Sequence, residues 1–200
     1  MTSARVSDVR ELAADEVPSD GAAPWPRQPD DLTSTWLTEL LGATVESFEL
    51  KPLMNGMAAQ AAVVVLTYVP APTEPRPQSI VIKFAHATPQ GRARCAPMYE
   101  KELRFYRELA PEVAPLMPVP AVLAAHGDTG AATPTEFFCL VLEDLSVEFE
   151  LLHASRGTGE REAAALLRQV ARVQAKFWEG GAARELDWLA SRREELTGSG

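Results

Sequence analysis

Residues 79–85 have the sequence SIVIKFA, a short apolar run that contains one charged residue, Lys83. A run of this length, rich in β-branched residues, is typical of a buried β-strand. Burying a lone ammonium group is costly, so Lys83 requires a counter-charge or a ligand. The counter-charge or ligand must lie beside this strand, and this requirement restricts how the neighbouring segments can pack.

The segment that follows offers a counter-charge. Spacing predicts a helix from Met98 to Leu109, with one stripe at i, i+4, i+7 and i+11 formed by Met98, Glu102, Phe105 and Leu109. Glu102 is the only charge on that stripe, and an ion pair with Lys83 would satisfy both groups. A lysine held in this way can contact the phosphates of a nucleotide. The alternative is that Lys83 extends from an edge strand into solvent while Glu102 is solvated at the helix rim, and spacing alone favours neither.

Upstream of the central run, the sequence predicts a flexible arm and then a helix. Residues 1–24 are small and charged, without strong periodicity, and we interpret them as a mostly flexible N-terminal arm. Thr33 or Ser34 can cap a helix through residues 36–41, which Gly42 would end.

A β-hairpin is predicted next, with strands at 45–53 and 57–68. The dipeptide Asn55-Gly56 is typical of the turn in such a hairpin. Small residues there would let backbone N–H groups approach phosphate oxygens, although a plain turn is the simpler interpretation. The residues concerned are Asn55, Gly56, Met57 and Ala58.

Downstream, the pattern predicts two more strands and then helices. The predicted elements are an extended segment at 111–120, strands at 121–125 and 137–142, a helix at 160–178 with one buried apolar stripe, and a short helix around Trp188 and Leu189. The fold class expected from this order is α+β, with an antiparallel sheet of about five strands and one packed helix.

Composition excludes several classes of function. The 200-residue chain has a net charge of −9, which argues against a general nucleic-acid surface and against attachment to an anionic membrane. Its two cysteines, Cys95 and Cys139, lie far apart and form neither a zinc motif nor a disulfide framework. The sequence contains no secretory signal and no run of ~20 apolar residues, so the expected location is the cytoplasm.

Four segments, in order, resemble one known family. They are YEKELRFYRELAP at 99–111, Val119-Pro120 before a strand, FCLVLEDL at 138–145, and VARVQAKFW at 170–178 followed by LDWL at 186–189. Together they resemble the bacterial aminoglycoside-phosphotransferase and ecdysteroid-kinase-like proteins, over residues 30–190. The resemblance implies a protein-kinase-like small lobe with its hinge at 25–145, and the beginning of a truncated helical large lobe at 146–200.

The resemblance also implies a nucleotide site, with ATP as the cofactor. Lys83 would contact the α- and β-phosphates, and Glu102 would hold Lys83. The loop over the phosphates would be 55–60, and the backbone of the hinge would face the adenine. The hinge residues are Glu143, Asp144 and Leu145; without the resemblance, the two acids would be read as solvated residues at a strand end.

Departures from the family pattern limit the activity that is expected. Gln174 stands where the family usually carries histidine, and the alanine-rich loop lacks a second glycine or serine. The catalytic Asp, the metal-binding Asn and the later metal-binding Asp would lie beyond Gly200, so Mg²⁺ ligands are not in this chain. His126-Gly127-Asp128 looks like a catalytic tripeptide, but it precedes the 137–142 strand and has no Asn five residues later, so we interpret it as a turn.

Three functional hypotheses follow. The first is a fragment of an enzyme that phosphorylates a hydroxyl group of a small molecule with ATP, inactive without the missing residues. The second is a nucleotide-binding module without turnover. The third is an interaction module that self-associates through the apolar face of the 160–178 helix.

Overall fold

The computed structural model of this chain describes residues 25–53, 58–127, 137–149, 157–178 and 186–190. The arm predicted at 1–24 lies outside the described residues. So do Asn55, Gly56 and Met57 of the predicted hairpin turn, and Asp128.

Five strands form one sheet in the order β1-β2-β3-β5-β4, and every neighbouring pair is antiparallel. The strands are β1 (Val45–Pro52), β2 (Ala59–Tyr68), β3 (Ser79–Ala85), β4 (Val122–His126) and β5 (Cys139–Glu143). The predicted α+β class with an antiparallel sheet is confirmed. Because β3 lies between β2 and β5, Lys83 extends from a central strand and not from an edge.

Along the sequence, one helix precedes the strands, two lie between β3 and β4, and two follow β5. They are α1 (Ser34–Leu41), α2 (Pro89–Arg104), α3 (Ala110–Val113), α4 (Glu160–Lys176) and α5 (Asp187–Ala190), with a π-helical segment at Phe105–Leu109 and short 3₁₀ turns at Pro29–Asp31 and Leu145–Val147. The predicted limits of α1 are confirmed. The Thr33 side chain accepts a hydrogen bond of 3.1 Å from the backbone N–H of Trp36, and Gly42 ends the helix with a φ of 62°.

The main core lies between α1 and one face of the sheet. In β3, Ile80, Ile82 and Phe84 are fully buried, whereas Val81 and Lys83 are only half-buried on the opposite face. This alternation follows from the two-residue period of a strand. Trp36, Leu37 and Leu41 of α1 pack into the same cluster as the buried β3 side chains. Lys83 therefore lies on the face of the sheet that α1 does not cover.

Helix α2 differs from its prediction in two respects. It begins at Pro89 and not at Met98, with Pro97 inside it. Met98 is 57% exposed, so the proposed stripe does not mark the buried face. The side chains that α2 does bury are Cys95, Ala96, Tyr99 and Leu103. Proline removes one helical hydrogen bond and usually ends a helix, but α2 continues through Pro97 and buries Ala96 before it and Tyr99 after it.

The segment predicted to be extended at 111–120 is helical in its first part. Residues 110–113 form α3, and the N–H of Leu116 and of Met117 both donate to the carbonyl oxygen of Val113, at 2.8 and 3.0 Å. Pro111 stands in the first turn of α3, where its missing N–H would have had no helical partner. Only the residues that follow this turn match the prediction.

The described residues divide into two compact units. One comprises the residues up to 103 together with 120–148, and the other comprises 104–119 and the residues from 149 onward. In the second unit, the buried stripe predicted for α4 is wrong, because Leu166 and Leu167 are 56% and 66% exposed. Within this unit, Lys176 pairs with the Glu112 carboxylate.

A second contact in the same unit involves α5. The indole N–H of Trp188 donates to Glu108 Oε2 at 2.8 Å, and Arg104 Nε donates to the other oxygen of that carboxylate at 2.7 Å. These contacts connect the short helix predicted around Trp188 to the end of the 89–113 helical segment.

Cys139 lies in the first unit, in the middle of the sheet. Its side chain is fully buried, and burial raises the pKa of its thiol to about 12. Among the helices of the described ranges, none has the combined length and apolar character needed to cross a bilayer.

Candidate functional site

The ion pair predicted between β3 and α2 is present. Lys83 Nζ donates a hydrogen bond to Glu102 Oε1. The two side chains retain 26% and 28% of their exposure, so solvent and small solutes can reach the pair. At this exposure an ion pair adds little to stability, but the charged hydrogen bond fixes the direction of the ammonium group.

The local folding that brings the two groups together is simple. Lys83 faces Ala61 of β2 and Leu140 of β5 across the ladder, so its side chain lies on a strand fixed from both sides. Glu102 follows Tyr99 by three residues on α2, which places the two side chains on one side of the helix. Tyr99 is buried and anchors this part of α2 to the sheet.

A partly accessible apolar surface lies next to the lysine, on the same face of the sheet. Residues directly opposite in an antiparallel ladder share a face, and Val63 pairs with Val81. Val63, Val65 and Val81 are each half-buried, in contrast to the fully buried residues of the α1 face. We refer to these three side chains as the valine surface. A flat apolar group could pack on it while its charged end reaches Lys83.

The Tyr99 hydroxyl joins the ends of two strands beside the ion pair. It accepts a hydrogen bond of 2.8 Å from the backbone N–H of His86 and donates one of 2.5 Å to the carbonyl oxygen of Ala58. The Gln60 side chain donates to the carbonyl oxygen of Ala85 at 3.0 Å. The last ladder pair of β2 and β3 is Ala59 with Ala85, so these bonds continue the strand connection beyond the ladder.

Sequence reasoning missed Tyr99. Tyr99 is the first residue of the segment YEKELRFYRELAP, three positions before Glu102, but the stripe chosen from spacing passed beside it. In the structure its ring stacks on Phe138 at a centroid distance of 4.8 Å. Burial is the main reason that the pKa of its hydroxyl is raised, so the group stays protonated and able to donate at neutral pH.

The predicted phosphate loop is described only at its end. Ala58 directly precedes β2, and its carbonyl oxygen is the acceptor for Tyr99. Residues 55–57 lie outside the described residues, whereas residues 59 and 60 of the predicted loop belong to strand β2, so the loop prediction is wrong there. Ala58 is therefore tied to α2, and it lies three residues before Ala61, the ladder partner of Lys83.

The predicted hinge lies at the other end of β3. Glu143 pairs with Ile80, three residues from Lys83, which corresponds to about 10 Å along the strand. Its backbone N–H donates to the carbonyl oxygen of Ala121 at 2.8 Å, and its carboxylate accepts from the Ala121 N–H at 3.1 Å. Leu145 begins a short 3₁₀ turn directly afterwards. The predicted hinge therefore begins at the end of β5, the strand that pairs with β3, and Glu143 lies three ladder positions from Lys83.

Asp144, in the predicted hinge, forms a hydrogen bond with the first residue of β3. Its carboxylate accepts hydrogen bonds from the Ser79 hydroxyl at 2.6 Å and from the Ser146 N–H at 2.9 Å. Partial burial acts to raise the pKa of this carboxyl, but the hydrogen bonds from Ser146 and Ser79 outweigh it and lower the pKa below its usual value.

The lowered pKa predicts how stability depends on pH. A carboxyl with a depressed folded-state pKa stabilises the fold above its unfolded pKa of about 3.9, and this contribution disappears as the pH falls through the folded value. We expect Asp144→Asn to be less stable than the wild type by about 1 kcal/mol at pH 7, and the difference to shrink as the pH falls through the lowered folded-state pKa of Asp144. Thermal unfolding between pH 2.5 and 7 measures this. Asp30→Asn, at an exposed position, is the control, and a pH-independent difference for Asp144→Asn would contradict the assignment.

His126 has a packing role. It ends β4, and its ring stacks on Trp25 at 4.9 Å with an interplanar angle of 10° and meets Phe137 edge-on at 5.0 Å. Gln174 is exposed on α4. An open depression of about 380 Å³, lined by residues 42–44 and 70–74 with Arg76, lies at the opposite end of the strands from Lys83.

Metal ligands are not assembled in the described ranges, where no group of three or more His, Cys, Asp or Glu side chains could hold an ion. Comparison with protein families, with curated proteins and with solved structures finds no match for this chain. The geometry around Lys83 therefore carries the functional argument.

Proposed function

We propose that this chain binds ATP through Lys83 and Glu102, as the small lobe of an aminoglycoside-phosphotransferase-like enzyme that phosphorylates a hydroxyl group of a small molecule. The observation that carries the proposal is the contact between Lys83 on the third strand and Glu102 on the following helix. Kinases position the nucleotide phosphates with a lysine and glutamate on the equivalent elements.

The charge arrangement suits a phosphate ligand. An ammonium group has three N–H donors, and the hydrogen bond to Glu102 uses one of them. The others can donate to phosphate oxygens, and the remaining exposure of the side chain gives a ligand access. Glu102 would keep the ammonium directed at this position, so the lysine would not need to lose its rotamer freedom when the nucleotide binds.

The base of the nucleotide would bind on the valine surface. A purine ring is flat and largely apolar, and packing it on half-buried Val63 and Val81 would remove apolar area from water. The strand β5 leads from this face to Glu143 and the hinge, whose backbone groups would recognise the edge of the adenine.

Phosphate transfer itself is not proposed for these residues alone. Phosphoryl transfer needs a base and metal ligands, and we assign those roles to none of the described residues. The activity that we propose for the described residues is nucleotide binding. Mg²⁺ would accompany ATP, and we assign it no protein ligand.

Thermal unfolding with added nucleotide tests the proposal. If the dissociation constant is about 10 µM, then 1 mM Mg-ATP is about 100 times that value and should stabilise the chain by about 2.7 kcal/mol. For a chain of this size that corresponds to a rise in Tm of about 5–10 °C. Adenosine should give a smaller rise, because it lacks the phosphates that Lys83 would contact. An unchanged Tm at 5 mM Mg-ATP would contradict the proposal.

A second candidate function is protein interaction. Leu166, Leu167 and Trp178 are exposed in or directly after α4, and apolar side chains in such positions are typical of association surfaces. Sedimentation of the wild type and of Leu166→Glu separates the two functions. Self-association that is abolished by Leu166→Glu, insensitive to ATP and unchanged in Lys83→Ala would favour this candidate.

A further inference from the structure

Strand β1 lies at one edge of the sheet, and its outer side carries backbone groups that another strand could pair with. The strand order places β2 on one side of β1 and no strand of the described residues on the other. The N–H of Leu53 donates to the carbonyl oxygen of Ala61 at 2.9 Å, which continues the β1–β2 ladder. Because the backbone groups of successive residues point to opposite sides of a strand, those of Phe48 and Leu50 point away from β2. An added strand can therefore form hydrogen bonds with these two residues.

The side chains of β1 form two different faces. Phe48 and Leu50 are half-buried against the core. Lys51 and Glu49 lie on the opposite face with side-chain exposures of 57% and 69%, and Lys51 Nζ is 3.5 Å from Glu49 Oε2. An acid and a base two residues apart on one face can meet the same two residues of an antiparallel copy, in reversed order.

We propose that the outer edge of β1 is a self-association surface, and that its occupant is β1 of a second copy of this chain, paired antiparallel about a two-fold axis. In such a pair, residues directly opposite one another come from the same face, so the register changes only in steps of two residues. The register centred on Leu50 places Leu50 opposite Leu50 and places Glu49 of each copy opposite Lys51 of the other. The proposal is independent of nucleotide binding.

Charge favours this register over its neighbours. In registers centred on Glu49 or on Lys51, two like charges would face each other, which is destabilising. In the register centred on Phe48, Glu49 would face Ser47 and would form no ion pair. Among these four registers, the one centred on Leu50 is therefore the one that pairs opposite charges between the copies.

Backbone hydrogen bonding agrees with the same register. The two Leu50 residues would exchange N–H···O bonds, and the N–H of each Phe48 would donate to the Pro52 carbonyl oxygen of the other copy. Glu49 and Lys51 would then occupy non-hydrogen-bonded pairs, in which side chains come closest. Lysine and proline at a sheet edge generally discourage pairing. Here the lysine disfavours partners that lack an acid at the matching position, and a second copy provides that acid.

Sedimentation equilibrium of the full chain tests the proposal. Five residues from each copy make a much smaller contact than the roughly 20–30 residues a side of a standard interface, so the dimer should be weak. We expect a dissociation constant of about 0.1 mM, which makes the wild type mostly dimeric at about 1 mM chain. A wild type that is monomeric at about 1 mM would overturn the proposal.

A charge exchange tests the register. Lys51→Glu and Glu49→Lys each place like charges opposite one another in both ion pairs, and each should weaken the dimer by about 10-fold or more. The double variant Glu49→Lys/Lys51→Glu restores opposite charges and should dimerise within about 3-fold of the wild type. A double variant that dimerises no better than the single variants would overturn the proposal, because a loss caused by disturbed folding is not reversed by a second charge change.

Two further variants are matched controls. Glu74→Lys changes the net charge by as much as Glu49→Lys, at an exposed glutamate of a loop whose partner is Arg76, and should leave the dimer unchanged. Leu166→Glu should also leave it unchanged, because α4 has no part in the proposed contact. Loss of the dimer in either control would overturn the proposal, and loss in Leu166→Glu would assign the association to α4.

Amide hydrogen exchange locates the contact directly. The N–H of Leu50 should exchange several-fold more slowly at about 1 mM chain than at about 10 µM, because it gains a partner in the dimer. The N–H of Leu53, which is already bonded within the sheet, should exchange at the same rate at both concentrations. An exchange rate of Leu50 that does not change with concentration would overturn the proposal.

Discussion

Replacing Lys83 with alanine is expected to weaken Mg-ATP binding by about 100-fold or more. Two hydrogen bonds from a charged donor to phosphate oxygens would be lost, each worth about 1.5–3 kcal/mol, and each 1.4 kcal/mol is about tenfold in affinity. Glu102→Ala should cost less, about 5- to 10-fold, because the ammonium group remains but loses its fixed direction. Calorimetric titration of each variant measures these losses.

A double variant tests whether Glu102 affects ATP binding only through Lys83. If Glu102 acts only through Lys83, the double variant Lys83→Ala/Glu102→Ala should bind ATP as weakly as Lys83→Ala alone, so the two effects are not additive. Lys51→Ala is the control, since Lys51 is an exposed lysine on β1 whose partner is Glu49. Equal losses for Lys51→Ala and Lys83→Ala would mean that ATP responds to net charge and not to this site.

Phe84→Ala is expected to destabilise the fold by about 3–5 kcal/mol, a large share of the total stability of a domain. Phe84 is fully buried between the sheet and α1, and truncating such a side chain loses its transfer free energy and leaves a cavity. A domain of this kind has a total stability of about 5–15 kcal/mol. The free energy of unfolding in urea, measured for wild type and variant, tests this expectation.

Phe149 offers the same truncation at an exposed position, and Phe149→Ala should change the free energy of unfolding by less than about 0.5 kcal/mol. If both phenylalanine variants lost the same stability, the assignment of the core to the α1 face would be wrong. Because Phe84 neighbours Lys83 but points to the other face, this pair of variants also separates loss of fold from loss of the site.

The central strand was the most predictable element, and the reason is physical. An apolar run of seven residues with a single charge can be buried only if the charge lies on the less covered face, and β3 has the predicted limits of Ser79–Ala85. Caps made the limits of α1 equally clear, because Thr33 and Gly42 each satisfy a backbone requirement of a helix end. The partner of Lys83 was also predicted correctly, although the nucleotide role of the pair stays a prediction.

Helices whose stability comes from tertiary contacts were predicted less well. Residues before Pro97 have little apolar periodicity, so burial of Cys95 and Ala96 against the rest of the first unit could not be foreseen from spacing. Met98 was placed on the buried stripe because it is apolar, yet it is exposed. In α4 the periodicity was real, but periodicity shows which residues share a face and not what covers that face.

Tyr99 could not have been found from its own segment. Its role depends on backbone atoms of Ala58 and His86, which lie 41 and 13 residues away along the chain. A hydroxyl that satisfies such distant groups becomes visible only when the strands are paired. The sequence therefore indicated Lys83 and Glu102, whereas the contacts of Tyr99 are seen only in the structure.

The burial of both cysteines makes the chain a convenient host for spectroscopic probes. Cys139 is shielded within the sheet and its thiol is protonated at neutral pH, and Cys95 is buried on α2. Maleimide reagents, which attack accessible thiolates, should leave the native chain unlabelled. A cysteine introduced at the exposed position of Leu167 would then be the sole reactive thiol, so a fluorophore could be attached there without first removing either native sulfur atom.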